Sequence, residues 1–453
     1  MEFENKNILV IGAGISGFAA AKIAKKFGAN VTLSDSKAES DLKYDFNELR
    51  QLNIKLQFGK QNDNLLDGVD LIIVSPAVPI KIPLLQSAIQ KNIKIISEVE
   101  LAYDLAKSPI CAVTGTNGKT TTVTLLGLLL ETAYNKVGVG GNIGIALSEV
   151  ALEVGNGGCI AAEISSYQME STNNFHPHVS AILNITPDHI KRHGSMKVYQ
   201  EMKEKIFAEE NVNDYLILNY DDELTREIKN RAKCQVCYFS RKCKLDEGAF
   251  LIDNTLVIKW NNQINKLCTV DELGIKGGHN IENALAASAV AFFAGADIQK
   301  MRKVLMSFTG VEHRIEFVRE IDGVKYYNDS KATNTDSAIK ALETFNSHII
   351  LIAGGDDKGT DLTEFMQLVK SRVDELILVG DAAARFKQSA LENGFDESKI
   401  YEAGYSMNKA VEVANKIARA PQIVLLSPAC ASFDMYEGFE ARGRDFKQIV
   451  NEL

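Results

Sequence analysis

The chain has 453 residues, of which 45% are hydrophobic, and a formal net charge of −9 at pH 7. This length exceeds one ordinary domain, so two or three domains with sizeable cores are expected. The acidic balance argues against nucleic-acid binding, which needs a basic face. No apolar run approaches the ~20 residues of a membrane span. The acidic start runs directly into a predicted strand, and the seven cysteines fit reduced thiols, so we expect a cytoplasmic protein.

The first ~98 residues alternate strand and helix patterns and predict a doubly wound α/β unit. Strands are expected at residues 7–11, 30–34, 69–74 and 93–96, and a helix at 18–27. The turn Gly12-Ala-Gly-Ile-Ser-Gly17 follows the first strand, and Asp35 lies eighteen residues after Gly17. This spacing matches the dinucleotide fingerprint. The residues alone leave open whether the unit binds NAD(P), a different nucleotide or no nucleotide.

The segment 112–122 follows a predicted buried strand and opens a predicted apolar helix that runs through Leu130. Its glycine-rich turn can direct backbone N–H groups at a phosphate chain. Lys119 can reach the β- and γ-phosphates, and the Thr120 hydroxyl can ligate Mg²⁺. Val113 stands where the usual spacing has glycine, so a chance Gly-Lys-Thr is the alternative. The strand–turn–helix context favours ATP or GTP.

Further polar groups follow apolar strands in the central part of the chain. Glu163 ends the strand 159–162, where a carboxylate is a natural Mg²⁺ ligand or a favourable helix-start residue. His189 follows the strand near 181–185 and could be a ligand or a structural histidine. Asn280 and Asn283 lie one turn apart on a predicted helix and could read a phosphate or an adenine edge. A hairpin is also predicted over 250–260.

The remainder of the chain predicts a third α/β unit with strands near 324–327, 348–353, 375–379 and 422–426. Polar or glycine-framed turns follow three of them, at 328–334, 354–359 and 427–432. Each turn alone is ordinary loop chemistry. Three at successive strand ends predict a binding crevice at the carboxyl edge of the sheet.

Together these residues resemble the Mur ligase family, the ATP-dependent amide-forming enzymes of peptidoglycan precursor synthesis. The family core motif is matched by Gly115-Thr-Asn-Gly-Lys-Thr-Thr121, Gly278-His-Asn-Ile-Glu-Asn283 and His313-Arg314. The D-glutamate-adding branch is matched by Asn328-Asp-Ser-Lys-Ala-Thr-Asn334, by Ser427-Pro-Ala-Cys-Ala-Ser-Phe-Asp434, by Phe439 and by Arg442-Gly443.

The resemblance implies an α/β protein of three domains, with a Rossmann-like unit at 1–98, a P-loop unit at 99–311 and a Rossmann-like unit at 312–453. It implies a monomeric ligase that uses ATP and two Mg²⁺ ions to join D-glutamate to UDP-N-acetylmuramoyl-L-alanine. Neither nucleic acid nor membrane is an expected partner. The alternatives are a folylpolyglutamate-type synthetase, an NAD(P)-dependent oxidoreductase and a non-catalytic binding protein. The first normally lacks a full N-terminal nucleotide unit, and the second leaves the Lys119 loop unexplained.

The resemblance also assigns residues. The UDP-substrate would be bound by Ile15, Ser16, Asp35, Ser36, Ser75, Asn142 and His189. ATP would be bound by Gly115, Thr116, Asn117, Gly118, Lys119, Thr120, Thr121, Asn283, Arg314 and Asp329. Mg²⁺ would be held by Thr120, Glu163, His189 and Lys203, the last as a carbamate. Catalysis would rest on Lys119, Glu163, His189 and Lys203. D-Glutamate would be bound by Thr333, Lys358, Ser432 and Phe439.

The implied reaction phosphorylates the L-alanyl carboxylate, and the D-glutamate amine then attacks the acyl phosphate. From the sequence alone Lys203 is a solvated helix lysine, so its role depends on the resemblance. Because ATP-facing groups are expected on two units, the resemblance also predicts closure about a linker near Gly310-Val311.

Overall fold

The computed structural model describes residues 3–42, 44–345, 348–357 and 359–453. Within these residues, twenty strands form three sheets. The chain divides into two compact units: one comprises Met1–Gly274 and His279–Phe308, and the other comprises Ile275–Gly278 and Thr309–Leu453. The first unit contains two sheets and the second contains one.

The first sheet is built from the N-terminal part of the chain. Its elements are β1 (Asn7–Ile11), α1 (Ile15–Lys26), β2 (Asn30–Asp35), α2 (Asn47–Gln51), β3 (Lys55–Phe58), β4 (Leu71–Val74), α3 (Pro83–Gln90) and β5 (Lys94–Ser97). The strands are all parallel in the order β3-β2-β1-β4-β5. Ile8 and Val10 pack into one core, and Leu9 and Ile11 pack into another on the opposite face. Both faces are covered, as parallel sheets require.

The four strands predicted in this region are confirmed, with ends shifted by one or two residues. Helix α1 begins at Ile15 rather than at Phe18, inside the glycine turn, because Gly14 takes the extended N-cap conformation with φ −82° and ψ −173°. Strand β3 was not predicted. Only one of its two faces is partly covered, so its apolar signal is weak.

The central sheet follows. Its elements are α4 (Glu98–Leu105), β6 (Ile110–Thr114), α5 (Lys119–Leu130), β7 (Val137–Gly141), α6 (Leu147–Val154), β8 (Cys159–Glu163), β9 (Val179–Ile182), α7 (Ile190–His193), α8 (Met196–Glu204), β10 (Tyr215–Asn219), α9 (Glu223–Arg226), β11 (Gln235–Ser240), β12 (Gly248–Ile252), β13 (Thr255–Trp260), β14 (Gln263–Thr269), α10 (Gly278–Phe293) and α11 (Ile298–Ser307). The strand order is β14-β13-β12-β11-β10-β9-β6-β8-β7. The sheet is parallel from β7 to β12, and the last three strands are antiparallel.

The predicted hairpin is confirmed as β12 and β13. Its two-residue turn has positive φ at both positions, 46° at Asp253 and 62° at Asn254. Asp and Asn tolerate this left-handed conformation, which matches the twist of the flanking strands.

Helix α4 joins the first and central sheets through buried Glu100. Its carboxylate accepts hydrogen bonds from the Asn173 and Asn174 backbone N–H groups, at 2.9 Å each, and from Asn174 Nδ2 at 2.7 Å. The Ser97 hydroxyl caps the helix by accepting from Glu100 N–H. A fully satisfied buried carboxylate rigidifies its surroundings, so the two sheets of this unit share one anchored connection.

The third sheet forms the core of the second unit. Its elements are β15 (Glu316–Ile321), β16 (Val324–Asn328), α12 (Thr335–Thr344), β17 (Ile349–Gly354), α13 (Thr363–Arg372), β18 (Val373–Val379), α14 (Ala383–Glu392), β19 (Ile400–Gly404), α15 (Met407–Ile417), β20 (Ile423–Leu426) and α16 (Phe439–Glu452). The strand order is β15-β16-β20-β17-β18-β19, and only the β15–β16 pair is antiparallel. Along β17, Leu351 and Ile352 point into opposite cores.

The predicted α/β fold is therefore confirmed. In the part of the chain that the structure describes, no helix is both long enough and apolar enough to span a bilayer.

Glu210 predicts a pH dependence of stability. Its side chain is buried, and the nearby Cys234 thiol and Ser180 hydroxyl offset only part of the cost of burying its charge. Burial raises the pKa of Glu210 to about 8 from an ordinary value of 4.5. The folded state therefore holds a proton that the unfolded chain releases above about pH 4.5. Stability from this group is complete at lower pH and falls as pH rises towards 8, by at most about 1.4 kcal/mol per pH unit.

Urea unfolding at pH 5, 6.5 and 8 measures this effect. Glu210→Gln cannot ionise, so its unfolding free energy should fall less with pH than that of the unchanged protein. Glu209→Gln, at the adjacent exposed position, is the control and should follow the unchanged protein. Equal pH slopes for Glu210→Gln and Glu209→Gln would contradict the prediction.

Candidate active site

The loop between β6 and α5 has the backbone shape of a phosphate cradle. Gly118 precedes α5 with φ 85°, and Gly115 has φ 156°. A Cβ on Gly118 would lie 2.3 Å from Asn283 Oδ1, so a side chain is excluded there by both conformation and space. The first N–H groups of α5 have no acceptor within the helix. This is the geometry that binds phosphate at a helix N-terminus.

Asn184, just after β9, holds the loop in place. Its Oδ1 accepts from Thr116 N–H at 3.1 Å and Asn117 N–H at 2.8 Å, and its Nδ2 donates to Asn117 O at 3.1 Å. The sequence reasoning did not single out this residue. The available signal was its position as the first polar side chain after a buried strand.

Two lysine side chains converge on the loop carbonyl of Gly115. Lys119 Nζ donates to Gly115 O and Thr116 O at 2.9 Å each, and Lys203 Nζ donates to Gly115 O at 2.7 Å. Lys203 is only 1% exposed, and its Nζ lies 4.5 Å from the centre of the Tyr199 ring. Among the described residues, no carboxylate forms an ion pair with Lys203.

Burial, together with the nearby Lys119 charge, lowers the pKa of Lys203 well below its ordinary value. Desolvation and a like charge both disfavour the ammonium form. Lys203 is therefore not the solvated lysine that its sequence context suggests. Its amine is predisposed to react as a neutral nucleophile.

Tyr199, one helical turn before Lys203, was also missed by the sequence reasoning. Its hydroxyl lies 3.0 Å from Thr116 Oγ1. Burial raises the pKa of Tyr199 to about 12, so the phenol stays protonated and can hydrogen-bond to the loop.

Glu163 ends β8, where it pairs in register with Val113 of β6. Its side chain is 1% exposed. Oε1 accepts from Asn142 Nδ2 at 2.8 Å, while Oε2 is buried without a hydrogen-bond partner in the described part of the chain. A buried carboxylate oxygen without a donor is costly unless a cation occupies the site. Glu163 and the Thr120 hydroxyl, at the start of α5, are oxygen ligands of the kind Mg²⁺ prefers.

Asn142 was predicted to contact substrate, and the structure places it against Glu163. Besides the side-chain contact, Asn142 N–H donates to Glu163 O at 2.8 Å. In this geometry Asn142 fixes the carboxylate beside the phosphate loop.

His189 lies in the segment after β9 and has φ 54°. Its ring packs 4.8 Å from the Tyr167 ring, and Nε2 lies 3.3 Å from Asp188 Oδ2. The side chain is about half exposed, so it is accessible to a ligand.

Asn283, on α10, accepts from Thr122 Oγ1 at 3.3 Å and donates to Asn280 Oδ1 at 3.2 Å.

A cleft of about 580 Å³ opens at the carboxyl ends of β1, β2 and β4. Asp35, Ser36 and Ser75 line it, as predicted for the UDP-substrate. Ile15 and Ser16 do not line this cleft; Ile15, 54% exposed, lines a smaller hollow beside it.

Both oxygens of Asp35 accept backbone N–H groups at the cleft floor. Oδ2 accepts from Ala13 at 2.8 Å and Oδ1 from Lys37 at 2.9 Å. The carboxylate therefore shapes the glycine turn and is less available to a ribose than the dinucleotide pattern implies. Lys37, Tyr44 and Gln61 also line the cleft and were not predicted. Lys37, a cation directly after the strand-end pair Asp35-Ser36, was the available signal.

In the second unit, Asp329 follows β16 and is fully enclosed. Its Oδ2 accepts from Ser427 Oγ at 2.8 Å and its Oδ1 from Ile315 N–H at 3.2 Å. Burial raises the pKa of Asp329 to about 7, against the opposing effects of Ser427 and Arg314. Arg314 Nε is buried without a hydrogen-bond partner among the described residues. Asp329 and Arg314, the two predicted ATP contacts in this unit, therefore interact electrostatically, and Arg314 Nε can still donate a hydrogen bond.

Arg442 of α16, a motif residue without a predicted role, ties together two of the strand-end turns. Nε donates to Ser330 Oγ at 2.9 Å and Nη1 to Ala431 O at 2.9 Å, while Nη2 reaches Ser330 O and Cys430 O. Its side chain is 2% exposed, and burial lowers the pKa of Arg442 to about 10. The guanidinium remains charged and fixes the turns after β16 and β20.

Three of the four predicted D-glutamate residues, Thr333, Ser432 and Phe439, lie in or next to these turns. Ser432 is buried in the turn after β20, and Phe439 is the first residue of α16. Thr333 lies in the turn after β16. Lys358 lies outside the described residues. The preceding Asp357 forms a two-bond ion pair with Arg385, 2.6 Å for each bond.

Glu312, His313 and Glu316 form the one group of three metal-ligating side chains in close proximity among the described residues. Lys447 Nζ already occupies it, at 3.1 Å from Glu312 Oε1 and 2.5 Å from Glu316 Oε1. An ammonium between the carboxylates neutralises them and repels a metal ion, so we do not assign a metal here.

Gly118→Ala tests the cradle. The new Cβ would meet Asn283 Oδ1 and a left-handed backbone, so we expect Mg²⁺–ADP affinity to fall at least about tenfold, equivalent to ~1.4 kcal/mol. Gly155→Ala is the control, because Gly155 has φ 66° but no atom within 4 Å of its Cβ position. Equilibrium dialysis measures both, and unchanged affinity in Gly118→Ala would contradict the prediction.

Comparison with protein families gives three consecutive matches that together span most of the chain. Residues 6–97 match the MurD-like N-terminal domain of Mur ligases, residues 113–291 the Mur ligase middle domain, and residues 313–430 the Mur ligase glutamate ligase domain. Each match contains one of the three sheets or most of it.

Curated relatives are similar over their full length. The chain is 45% identical over 453 residues to the UDP-N-acetylmuramoylalanine--D-glutamate ligase of Thermoanaerobacter pseudethanolicus, covering 100% of both chains. It is 42% identical over 455 residues to the enzyme of the same name from Clostridioides difficile, again covering 100% of both.

Solved structures share the fold. A pseudomurein peptide ligase type C from Methanothermus fervidus superposes with a TM-score of 0.59 at 20% identity, covering 99% of this chain and 100% of the other. UDP-N-acetylmuramate-alanine ligase from Thermotoga maritima gives 0.58 at 21% identity, covering 99% of each. With full-length identities of 42–45% and family matches over most of residues 6–430, this protein belongs to the Mur ligase family.

Proposed function

We propose that this protein is an ATP-dependent ligase that adds D-glutamate to UDP-N-acetylmuramoyl-L-alanine in peptidoglycan precursor synthesis. The similarity to D-glutamate ligases along the whole chain names the reaction. The observation that carries the chemistry is the buried Lys203 amine, which forms no ion pair with a carboxylate among the described residues and shares the Gly115 carbonyl of the phosphate loop with Lys119. A chance Gly-Lys-Thr sequence would not bring a second, buried lysine to the same carbonyl.

The first-sheet cleft is proposed to bind the uridine and diphosphate of the substrate. Asp35, Ser36 and Ser75 line it, and Ile15 and Ser16 are proposed to contact the substrate from the start of α1. An NAD(P)-dependent oxidoreductase is disfavoured because it gives no role to the Lys119 loop. We also propose three domains, which comprise residues 1–98, 99–311 and 312–453.

The residues beside the phosphate loop fit Mg²⁺. Glu163 has a bare buried oxygen, Thr120 supplies a hydroxyl, and His189 supplies an accessible imidazole. A bare ammonium would repel the metal, so we propose that Lys203 is carbamylated and contributes an anionic oxygen. When bound, two Mg²⁺ ions would offset the negative charges of the γ-phosphate and the substrate carboxylate.

The chain's own residues are proposed to align the reactants. The loop backbone from Gly115 to Thr121 would cradle the phosphate chain, and Lys119 would leave the Gly115 and Thr116 carbonyls to contact the β- and γ-phosphates. The alanyl carboxylate would attack the γ-phosphorus of ATP, displacing ADP and giving an acyl phosphate. The neutral D-glutamate amine would then attack the acyl carbon, and the tetrahedral intermediate would lose a proton from nitrogen, release phosphate and leave the amide.

The strand-end turns of the third sheet are proposed to bind D-glutamate through Thr333, Lys358, Ser432 and Phe439. Arg442 supports this pocket because it fixes two of the turns. Arg314 and Asp329, with Asn283, are the proposed ATP contacts outside the loop. We also propose that the protein is a monomer and that it acts in the cytoplasm, where nucleotide-activated precursors are made.

Phosphate release with both acceptors present tests the proposed reaction. With ATP and Mg²⁺, we expect release only when UDP-N-acetylmuramoyl-L-alanine and D-glutamate are both supplied, because the acyl phosphate needs its acceptor to turn over. Replacing D-glutamate with L-glutamate should abolish turnover. Brisk release without the UDP-sugar, or with L-glutamate, would refute the assignment.

Lys203→Ala tests the carbamate. The lowered pKa of Lys203, caused by burial, favours the neutral amine that reacts with CO₂. We expect near-complete loss of activity with partial recovery in added short carboxylates, and loss of a carbamate signal in ¹³C NMR with labelled CO₂. Lys197→Ala, at an exposed position on the same helix, is the control. Full activity of Lys203→Ala without additives would remove Lys203 from the mechanism.

A further inference from the structure

Arg192, in the short helix α7, has no role in the site described so far and makes an unusually dense set of contacts. Its Nε and Nη2 donate to the two carboxylate oxygens of Glu170 at 2.9 and 2.8 Å. The guanidinium also lies 4.8 Å from the centre of the Tyr167 ring. Both partners of the ion pair are largely buried, with side-chain exposures of 17% and 12%.

The same guanidinium grips three successive backbone carbonyls after β4. Nη1 donates to Ala77 O at 3.2 Å, and Nη2 donates to Pro76 O at 3.3 Å and Val78 O at 3.1 Å. Ala77 and Val78 belong to the lining of the 580 Å³ cleft in the first sheet. Arg192, which follows a central-sheet strand, therefore holds one wall of that cleft.

That wall faces the glycine turn at close range. A Cβ on Gly12 would lie 2.7 Å from Ser75 Cβ and 2.9 Å from Val78 Cγ2. The segment 75–78 thus packs directly on the backbone at the end of β1, and its carbonyls are fixed from the other side by Arg192. The Arg192 guanidinium and the glycine turn therefore contact opposite sides of the segment 75–78.

Arg192 also contacts Tyr167, which packs on His189, the residue proposed to bind the metal and the UDP-substrate. Tyr167, on which the guanidinium stacks, packs 4.8 Å from the His189 ring. Next to it, the His193 ring nitrogen Nε2 lies 3.0 Å from Ser166 Oγ, and Nδ1 lies 3.9 Å from Glu170 Oε1. A single cation thus contacts both the cleft wall and the side chain that supports His189.

We propose that Arg192 is a positioning residue for the UDP-sugar: it fixes the cleft wall 76–78 in register with His189. This inference rests on the proposed function. A planar guanidinium can satisfy a carboxylate and several carbonyls at once, whereas the ammonium of lysine cannot reproduce that fork. Lysine at this position would keep the charge and lose the simultaneous grip on Glu170 and the carbonyls.

Steady-state kinetics of Arg192→Lys test the proposal. The KM for the UDP-sugar should rise about tenfold or more, because the lysine ammonium keeps the charge but cannot bond Glu170 and the three carbonyls at once. The KM values for ATP and D-glutamate should stay within about twofold, which corresponds to about 0.4 kcal/mol of binding free energy. Arg302→Lys is the control, because Arg302 forms a more exposed ion pair with Glu272 away from the cleft lining. Unchanged KM for the UDP-sugar, or an equal rise for all three substrates, would overturn the proposal.

Hydrogen exchange of the unliganded protein supplies a readout that needs no reaction. The amides of Ser75, Ala77 and Val78 should exchange faster in Arg192→Lys than in the unchanged protein and in Arg302→Lys, while those of β6 stay equally protected. If the unchanged protein failed the two-acceptor phosphate assay, the proposed function would be refuted. Hydrogen exchange together with equilibrium binding of UDP would still test whether Arg192 fixes the cleft wall 76–78. Equal exchange at Ser75, Ala77 and Val78, or faster exchange there with unchanged UDP binding, would overturn the proposed role of Arg192. If Arg192→Lys does not fold, Glu170→Gln, which keeps the carbonyl contacts and loses the ion pair, takes its place with the same expectations in weaker form.

Discussion

Parallel strands place all their carboxyl ends at one edge of a sheet, and this constraint organises the whole candidate site. The phosphate loop follows β6, Glu163 ends β8 and Asn184 follows β9; these are adjacent strands in the order β9-β6-β8. Residues some 70 positions apart in the chain, such as Thr116 and Asn184, therefore meet at one loop, where hydrogen bonds hold them together. The cleft at β1, β2 and β4 and the turns after β16, β17 and β20 obey the same rule within their own sheets.

Desolvation marks the functional edge more sharply than residue type does. The carboxylate of Glu100 is buried with three donors in the loop that it anchors, so its burial is compensated. Among the described residues, Glu163 keeps one oxygen without a donor, Lys203 forms no ion pair with a carboxylate, and burial raises the pKa of Asp329 to about 7. Uncompensated charge of this kind is destabilising in the protein alone. These three groups lie where a metal ion, a phosphate or a second substrate is proposed to bind, whereas Glu210, whose pKa burial raises to about 8, belongs to no proposed site.

Three side chains hold backbone rather than ligand, and they explain how flexible turns acquire fixed shapes. Asn184 bonds the N–H and carbonyl groups of the phosphate loop, Arg442 bonds carbonyls of two third-sheet turns, and Arg192 bonds three carbonyls of the cleft wall. Turns outside helices and strands have no fixed shape of their own. Side chains that bond several backbone groups at once fix these turns, Asn184 mainly by accepting from N–H groups and Arg442 and Arg192 by donating to carbonyls.

The sequence by itself determined the α/β class, most strands with continuous apolar runs, the hairpin at Asp253-Asn254 and the positions of the phosphate loop and Glu163, because these depend on local patterns. It did not predict strands β3, β7, β10, β11, β14, β15 and β19 or the early start of α1. Only the tertiary structure decided that Lys203 is buried against Gly115, that Asn142 holds Glu163, that Asp35 is engaged by the glycine turn, and that Arg192 grips residues 76–78. Each of these depends on burial or on a partner more than twenty positions away in the chain. Amino-acid type and spacing do not encode either quantity, since a lysine on a helix reads the same whether its amine faces water or a carbonyl.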